Sequence, residues 1–455
     1  MKTKMVLKFG GTSVKTADAI RQVKNIIEQN VNTLNGDCSI FVVLSAVSGI
    51  TNKLVTFCNQ KSNVTREEIL SEIKLIHRNL ISELDIKNQV ENEVISIIDK
   101  LSSFIDKKLD IKMVDIILSV GEELSSFLLN EFLKKEGLSS ELLNSNKFMF
   151  TDENFGKAYP NIDKIKISLE QELKYLNNKI IVSQGFVGVT DKGDVTTLGR
   201  GGSDYSAALI AEAIEAEKLY IYTDVDGVYT IDPNIVPTAQ KIDKISFQEM
   251  AEMANFGAKI LHPSTLEPCL RSSIPVKILS TFKPDGKGTD IVFDKQDESE
   301  TLIKAVTIRR KQILVTLKSI NMVNAYGFLA NIFNILAKYK ISVDLITTSE
   351  INIALTIDGN MLGSQEINPF IENKELLFEL EQFAEIKVEE DLTLISLIGS
   401  GLTLTGAIQK MLSSLEEEFI RLICYGASSS NISILTKKTE AEELAKKLHY
   451  ELLEN

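Results

Sequence analysis

The order of apolar and polar positions divides the chain into an alternating first part and a repeated last part. Residues 5–9 form a short apolar run that predicts a buried strand. Residues 17–29 follow with Ile20, Val23, Ile26 and Ile27 at helical spacing. Residues 39–44 are continuously apolar or β-branched, a pattern that suits a parallel strand covered on both faces. Residues 65–135 are rich in Glu, Lys, Leu and Ile at three- to four-residue spacing and contain no proline, which predicts a helical subdomain. Strand-like runs return at 179–183, 186–190 and 219–223, with helical segments separating several of them. The alternation predicts a layered α/β domain around a mainly parallel sheet. The polar, turn-rich stretch 283–289 holds a proline and two glycines, and the first domain is placed to end just beyond it.

The last ~160 residues contain an internal repeat. At a constant offset of 79, Gly327 matches Gly406, Leu336 matches Leu415 and Ile341 matches Ile420. Ser349 likewise matches Ser428, Asn352 matches Asn431 and Ile353 matches Ile432. Each copy runs glycine, amphipathic helix, strand, Ser-containing turn, strand and second helical segment, the βαββαβ order of a ferredoxin-like module.

Composition narrows the function. The chain has 455 residues, enough for about three domains on a ~150-residue prior. The net charge of −13 argues against a general nucleic-acid binder, which needs a basic face. No apolar run approaches the roughly 20 residues that span a bilayer. The chain reaches a strand-like segment at once, so neither a signal peptide nor membrane attachment is expected, and a cytoplasmic location is. The four cysteines (Cys38, Cys58, Cys269, Cys424) are scattered without a CxxC pair and are expected to be reduced thiols. The histidines His77, His262 and His449 make no ligand pattern, so no protein-held metal is expected.

Several short segments carry candidate chemistry. Lys8 ends a strand and is followed by Gly10, Gly11, Thr12 and Ser13 before a helix. Glycines let backbone N–H groups approach a phosphate, and Lys8 adds a full charge. The lysine precedes the glycines, so this is not a Walker A loop; a plain strand-to-helix turn is the competing reading. Leu198-Gly199-Arg200-Gly201-Gly202-Ser203-Asp204 opens an Ala-rich helix. Arg200 can grip a carboxylate with two prongs, while Ser203 or Asp204 would cap the helix. Thr223-Asp224-Val225-Asp226-Gly227 ends a strand with spacing wrong for calcium, and suits a nucleotide contact or a solvated turn. The small-residue loop from Ser45 through Thr51, Lys259 in Phe256-Gly257-Ala258-Lys259, and Glu122 near the start of an apolar helix complete the set. Glu122 also fits a helix-dipole partner.

Together and in this order, these segments resemble the aspartate kinases of the amino-acid kinase superfamily, over nearly the whole chain. The resemblance implies a three-layer amino-acid kinase fold at 1–295 with a mainly parallel central sheet. Two ferredoxin-like ACT domains would follow at 312–388 and 389–455, with a strand from 301–309 added to the second. It implies transfer of the ATP γ-phosphoryl to L-aspartate, the first step of lysine, threonine and methionine biosynthesis, with Mg²⁺ accompanying the nucleotide. Lys8, Phe9, Gly10, Gly11, Thr223, Asp224, Tyr229, Asn234 and Lys259 would contact ATP. Ser45, Thr51, Glu122, Arg200, Gly201, Gly202 and Ser203 would form the aspartate site. Arg200 would take the α-carboxylate and Glu122 the α-amino group; Lys8, Asp204 and Lys259 would be catalytic. The repeated modules resemble the lysine-sensitive, monofunctional branch. Met322, Gly327, Phe328, Asp344, Ser349 and Glu350 would form an L-lysine site where two first modules meet in a homodimer or higher oligomer. Two positions depart from the family. Asn234 stands where arginine commonly follows Asp-Pro, and Ala325 stands where close relatives have serine. Two other functions fit parts of the pattern: a catalytically inactive amino-acid sensor, and a kinase of another small acid such as glutamate. Retention of Lys8, Glu122, Arg200, Asp204 and Lys259 opposes the first; the repeat and the Arg200 turn oppose the second.

Overall fold

The computed structural model describes residues 2–33, 38–86, 88–176, 179–258, 260–293, 303–359, 369–400, 402, 406–416 and 418–454. Two compact units emerge, Met1–Val228 with Lys241–Phe247 and Ile260–Lys295, and Tyr229–Gln240 with Gln248–Lys259 and Gln296–Asn455.

The first unit is built on an eight-stranded sheet. Its order is Lys244–Ser246, Thr289–Val292, Val276–Ser280, Lys218–Thr223, Lys2–Phe9, Cys38–Leu44, Ile180–Gln184, Ser140–Leu142. All neighbours are parallel except Val276–Ser280 with Thr289–Val292. Ile40 through Leu44 are all fully buried, as a strand covered on both faces requires. Helix Ala17–Thr33 buries Ile20, Val23, Ile26 and Ile27, the stripe that the periodicity predicts.

The helical subdomain consists of Ile50–Asn59, Asn63–Glu83, Asn88–Asp99 and Ile111–Lys135. Ser62 and Asp110 cap the second and fourth of these by accepting from Thr65 and Met113 N–H. Arg66 is buried yet satisfied. Its guanidinium donates to the Phe57, Phe104, Ile105 and Lys107 carbonyls, which ties the loop at 104–107 to the helices.

The second unit carries one six-stranded antiparallel sheet, Leu345–Thr348, Asn352–Asp358, Ala305–Lys318, Glu385–Ile398, Asn431–Lys437, Leu422–Cys424. The two copies of the repeat therefore share a sheet. Its two central strands are 14 residues each, pair with one another, and change register near Arg309–Leu314. Lys311 and Asp391 have positive φ at this junction (60° and 54°). Residues 305–309 pair with 394–398 of the second copy, and 312–318 with 352–358 of the first. Ile231 and Val236, from the segment Tyr229–Gln240, are buried in the same core as Leu397, Met411, Ile432 and Leu448.

Candidate active site

In the first unit the loops at the carboxyl ends of four adjacent parallel strands converge, the usual place for a ligand in an open α/β sheet. These loops follow Phe9, Leu44, Gln184 and Thr223. Their close packing explains several glycines. A Cβ on Gly11 would stand 2.7 Å from the Ala46 carbonyl, and one on Gly185 would stand 2.6 Å from Ser203 Cβ. A Cβ on Gly121 would stand 2.8 Å from Ala46 Cβ. Gly121 thus lets helix Ile111–Lys135 approach the 45–49 loop and bring Glu122 to it.

Lys8 is 6% exposed, and its Nζ lies 2.5 Å from Asp204 Oδ1. Gly10 donates its N–H to the Tyr222 carbonyl, so this glycine gives room beside Lys8 rather than a free donor. The chain after it forms a 3-10 turn, Gly11–Val14, before the helix begins at Ala17.

Two sequence expectations are corrected here. Neither Ser203 nor Asp204 caps the helix Gly202–Ala213. Its N-cap is Gly201, at φ 72°, with no side-chain cap bond. Asp204 turns to Lys8, and Ser203 Oγ donates to Glu122 Oε1 at 3.5 Å. Glu122 does not start a helix either; it lies in the middle of Ile111–Lys135, where a dipole partner has no purpose. It is 3% exposed, and its Oε2 has no hydrogen-bond partner among the described residues. Burial pushes the Glu122 carboxyl up to about 8, against the Ala46 N–H, the Ser203 hydroxyl and the Lys8 charge.

Arg200 is exposed between Gly199 (φ 78°) and Gly201, and has no ion-pair partner among the described residues. Gly201 is required by His262: a Cβ there would stand 2.3 Å from His262 Cβ. Burial, then the Arg200 and Lys157 charges, push the His262 imidazole below its ordinary value, so it is neutral beside Arg200 at pH 7. Phe186 adopts φ 65° and donates its N–H to Ser206 Oγ, a strained residue packed against Gly202. Thr223 Oγ1 donates to Asp224, and the Thr223 carbonyl accepts from Thr281 N–H. Ser45 is half-buried at the start of the 45–49 loop, and Thr51, which the sequence placed in that loop, is half-buried in the first turn of helix Ile50–Asn59.

Sequence reasoning missed Asp115. It lies two turns before Glu122 on the same helix, is fully buried, and accepts from Gly156 N–H (2.9 Å), Thr197 N–H (2.9 Å) and Thr197 Oγ1 (2.8 Å). Gly199 in turn packs on Gly156 and Lys157. Asp115 therefore braces the strand that leads into the Arg200 turn and the loop beneath it. Burial raises its carboxyl above the ordinary range, against these three donors. Asp115→Ala orphans all three donors and is expected to lower unfolding stability by about 3–5 kcal/mol. Denaturant titration measures it, and an unchanged midpoint would remove the bracing role.

The remaining residues of the sequence reading belong to the second unit. Tyr229 is half-buried, and its neighbour Thr230 is fixed by Val306 N–H (2.7 Å) and by His449 Nε2 (2.8 Å). Asn234 is exposed, with its N–H and Nδ2 both turned onto Asp232 Oδ1 at 2.9 Å. Lys259 lies outside the described residues. In the first repeat, Phe328 is core, 8% exposed and edge-on to Phe383. Gly327, at φ 79°, opens helix Phe328–Lys338 and faces open space, while Met322 packs partly on that core. Asp344 is held by Arg309 at 3.2 Å, and Arg309 also holds Asp358 at 2.9 Å. Burial raises the Asp344 carboxyl, opposed by Arg309. Ser349 and Glu350 are exposed. Cys58, Cys269 and Cys424 are free thiols.

The sequence matches the amino acid kinase family over residues 3–280 and an ACT domain over 315–363. It is 41% identical to the lysine-sensitive aspartokinase 3 of Escherichia coli K12 over 455 residues, covering 99% of each chain. The chain belongs to the aspartokinases. Two crystal structures of E. coli aspartokinase III match 99% of both chains at 40% identity. One, with aspartate and ADP in its R-state, has a TM-score of 0.88. The other, with lysine and aspartate in its T-state, has 0.81. Like other members of the aspartokinase family, this chain joins a kinase sheet to an antiparallel ACT sheet.

Proposed function

We propose that the chain transfers the γ-phosphoryl group of ATP to the side-chain carboxylate of L-aspartate, releasing ADP and 4-phospho-L-aspartate. A buried ammonium, Lys8, paired to Asp204 beside the partly unsatisfied Glu122 carboxyl, carries this reading. The acceptor carboxylate has an ordinary pKa near ~3.9 and is ionised at pH 7, so no general base is required. One of its oxygens attacks the γ-phosphorus. The bond to the bridging oxygen breaks, and ADP leaves with the electron pair. Positioning and charge stabilisation supply the rate.

Lys8, Phe9, Gly10 and Gly11 border the phosphates, with Lys8 as the cation; Thr223, Asp224, Tyr229, Asn234 and Lys259 serve the nucleotide. Magnesium enters with ATP as part of the substrate, bridging charge on the phosphates. Arg200, exposed and without an ion-pair partner among the described residues, takes the aspartate α-carboxylate through a two-pronged contact, and Glu122 takes the α-ammonium. Ser45, Thr51, Gly201, Gly202 and Ser203 line the same site. Asp204 orients Lys8.

L-Lysine is the effector in this reading, bound by Met322, Gly327, Phe328, Asp344, Ser349 and Glu350 of a first ACT domain at 312–388. Phe328 acts from the core, by shaping the wall. Residues 389–455 with 301–309 form the second ACT domain, and the kinase domain spans 1–295. Exposed Ile320, Val323, Tyr326 and Ile346 support pairing of two chains through the first ACT domain. A cytoplasmic location belongs to the same reading. Separately, no helix among the described residues is long and apolar enough to cross a membrane.

Coupled ADP release tests the reading. Turnover is expected with aspartate and ATP, not with glutamate or acetylglutamate, and is expected to fall on addition of lysine. Turnover insensitive to lysine would remove the effector while leaving the kinase. Absence of turnover together with lysine binding would make the chain a sensor.

A further inference from the structure

Strand pairing relates the two halves of the six-stranded sheet and reverses the sign of three charges between them. Ala305 pairs with Ile398 and Lys318 with Glu385, so residues 305–318 of one central strand map onto 385–398 of the other. Glu389 therefore stands where Arg309 does. The Asp344 N–H donates to the carbonyl of Thr356, which pairs with Leu314; the Arg421 N–H donates to the carbonyl of Leu435, which pairs with Leu394. Arg421 therefore stands where Asp344 does. Lys437, opposite Leu392, stands where Asp358 does, opposite Gln312.

The two places are unequally settled. Arg421 donates Nε and Nη2 to Glu389 Oε1 at 2.9 and 2.6 Å and holds that carboxyl below its ordinary value, and Lys387 adds a second cation at 3.4 Å. In the first repeat one cation is divided between two acids. Arg309 donates Nε and Nη2 to Asp358 Oδ2 at 3.2 and 2.9 Å, and Nη1 to the Asn255 carbonyl at 3.2 Å. It reaches Asp344 only through the same Nη2, at 3.3 Å from Oδ1 and 3.2 Å from Oδ2. A well-made charge-assisted bond is about 2.7–2.9 Å, so this contact is loose. Asp344 Oδ2 has no hydrogen-bond partner among the described residues, although the Asp358 N–H reaches the carboxyl. Burial raises the Asp344 carboxyl; Arg309 opposes that, and Asp358 adds to it. Asp344 is thus short of positive charge, and its guanidinium has a firmer hold on Asp358.

We propose that Arg309 is an internal stand-in for the effector's ammonium group: it holds Asp344 in the empty protein and yields it when an amino acid with a side-chain ammonium binds. The released guanidinium then closes on Asp358 and on the Asn255 carbonyl. That carbonyl and the Phe256 N–H belong to one peptide unit, and the Phe256 N–H donates to Glu252 at the end of helix Phe247–Asn255. Occupancy of the first repeat is thereby felt at the helix end, within the second unit. Arg309 also sets a threshold, because the ligand must outcompete a cation already in place. The inference rests on the reading of Asp344 as an effector residue; the divided guanidinium does not.

Calorimetric titration of the full chain with L-lysine tests this. Arg309→Met alone would strand Asp358 without its counter-charge, so it is combined with Asp358→Asn, which removes one charge of each sign. The double variant is expected to bind L-lysine about tenfold more tightly than the parent. Asp358→Asn alone leaves Arg309 wholly to Asp344 and is expected to bind it about tenfold more weakly. In the parent, L-lysine is expected to slow amide exchange at Phe256, and in the double variant to leave it unchanged. Binding by the double variant that is no tighter than the parent's would overturn the stand-in role. Tighter binding with no effect of L-lysine on Phe256 in the parent would overturn the transfer to the helix end. The underlying reading is tested apart from these, by Asp344→Asn. If that variant binds L-lysine as the parent does, Asp344 is not an effector residue and the inference falls with it; if it binds more weakly, the double variant decides.

Discussion

In Glu122→Gln, kcat/KM for aspartate is expected to fall by about two orders of magnitude or more while the protein becomes harder to unfold. Both effects have one cause. Glu122 is buried in mid-helix; the Ala46 N–H and the Ser203 hydroxyl reach its carboxyl, but its Oε2 has no hydrogen-bond partner among the described residues. Such a carboxyl is poorly solvated by the empty protein and well matched to an arriving ammonium group. Its pKa is raised from an ordinary 4.5 to about 8. The folded state therefore holds a proton that the unfolded state has lost at intermediate pH. Stability falls as pH rises from about 4.5 toward 8, then levels off. A shift of this size corresponds to roughly 4–5 kcal/mol as an upper bound at pH 8. The amide of Gln does not ionise. Its stabilising effect should vanish near pH 4.5 and grow toward pH 8 in thermal unfolding curves. A pH-independent difference between the two proteins would show that the carboxyl is not held protonated.

The same shift predicts how aspartate binds to the parent protein. Below pH 8 the empty site contains a neutral Glu122, and the bound ammonium favours the ionised form, so binding releases a proton. Apparent aspartate affinity should then rise with pH, by up to tenfold per unit, and flatten near pH 8. Lys8, Asp204 and Ser203 face the same space but stay in place in Glu122→Gln, which should lose this slope. Calorimetry in buffers of different ionisation enthalpy counts the proton directly. No proton release at pH 7 would detach Glu122 from the α-ammonium.

Local signals carried most of the first unit into view. A continuous apolar run ending at Leu44 and a lysine before two glycines depend only on neighbours in sequence. What escaped depends on distant contacts. Asp115 looks like one acid in an amphipathic helix, because its partners Gly156 and Thr197 lie 41 and 82 residues away. Glu122 read as standing near the start of a helix, whereas it lies in mid-helix beside Gly121, where Ala46 leaves no room for a Cβ. Ser203 and Asp204 have the chemistry of caps, and nothing local reveals that Glu122 and Lys8 claim them first. The repeat was legible as two modules, but their common sheet was not. Strands of 14 residues that bend at Lys311 and Asp391 carry no periodicity that distinguishes one long strand from two short ones.

Lys8→Met is expected to lower kcat by about three orders of magnitude, the scale seen when a preorganised group that stabilises transferring charge is removed. The cation is 6% exposed, so its field at a phosphate is little weakened by water. Asp204 keeps it there: without the 2.5 Å contact the ammonium would be free to swing toward solvent. Asp204→Asn retains a hydrogen-bond acceptor but gives up the anchoring charge, and should cost less in kcat than Lys8→Met. The double variant should be no slower than Lys8→Met alone, because Asp204 acts through Lys8 and has nothing left to orient. It should also be more stable than Lys8→Met, since the single variant leaves Asp204 as a nearly buried carboxylate without its counter-charge. Steady-state rates and unfolding midpoints for the three variants form a closed cycle. Additive losses in kcat would mean that Asp204 touches the reacting groups itself, and a Lys8→Met enzyme with near-normal turnover would remove Lys8 from the chemistry.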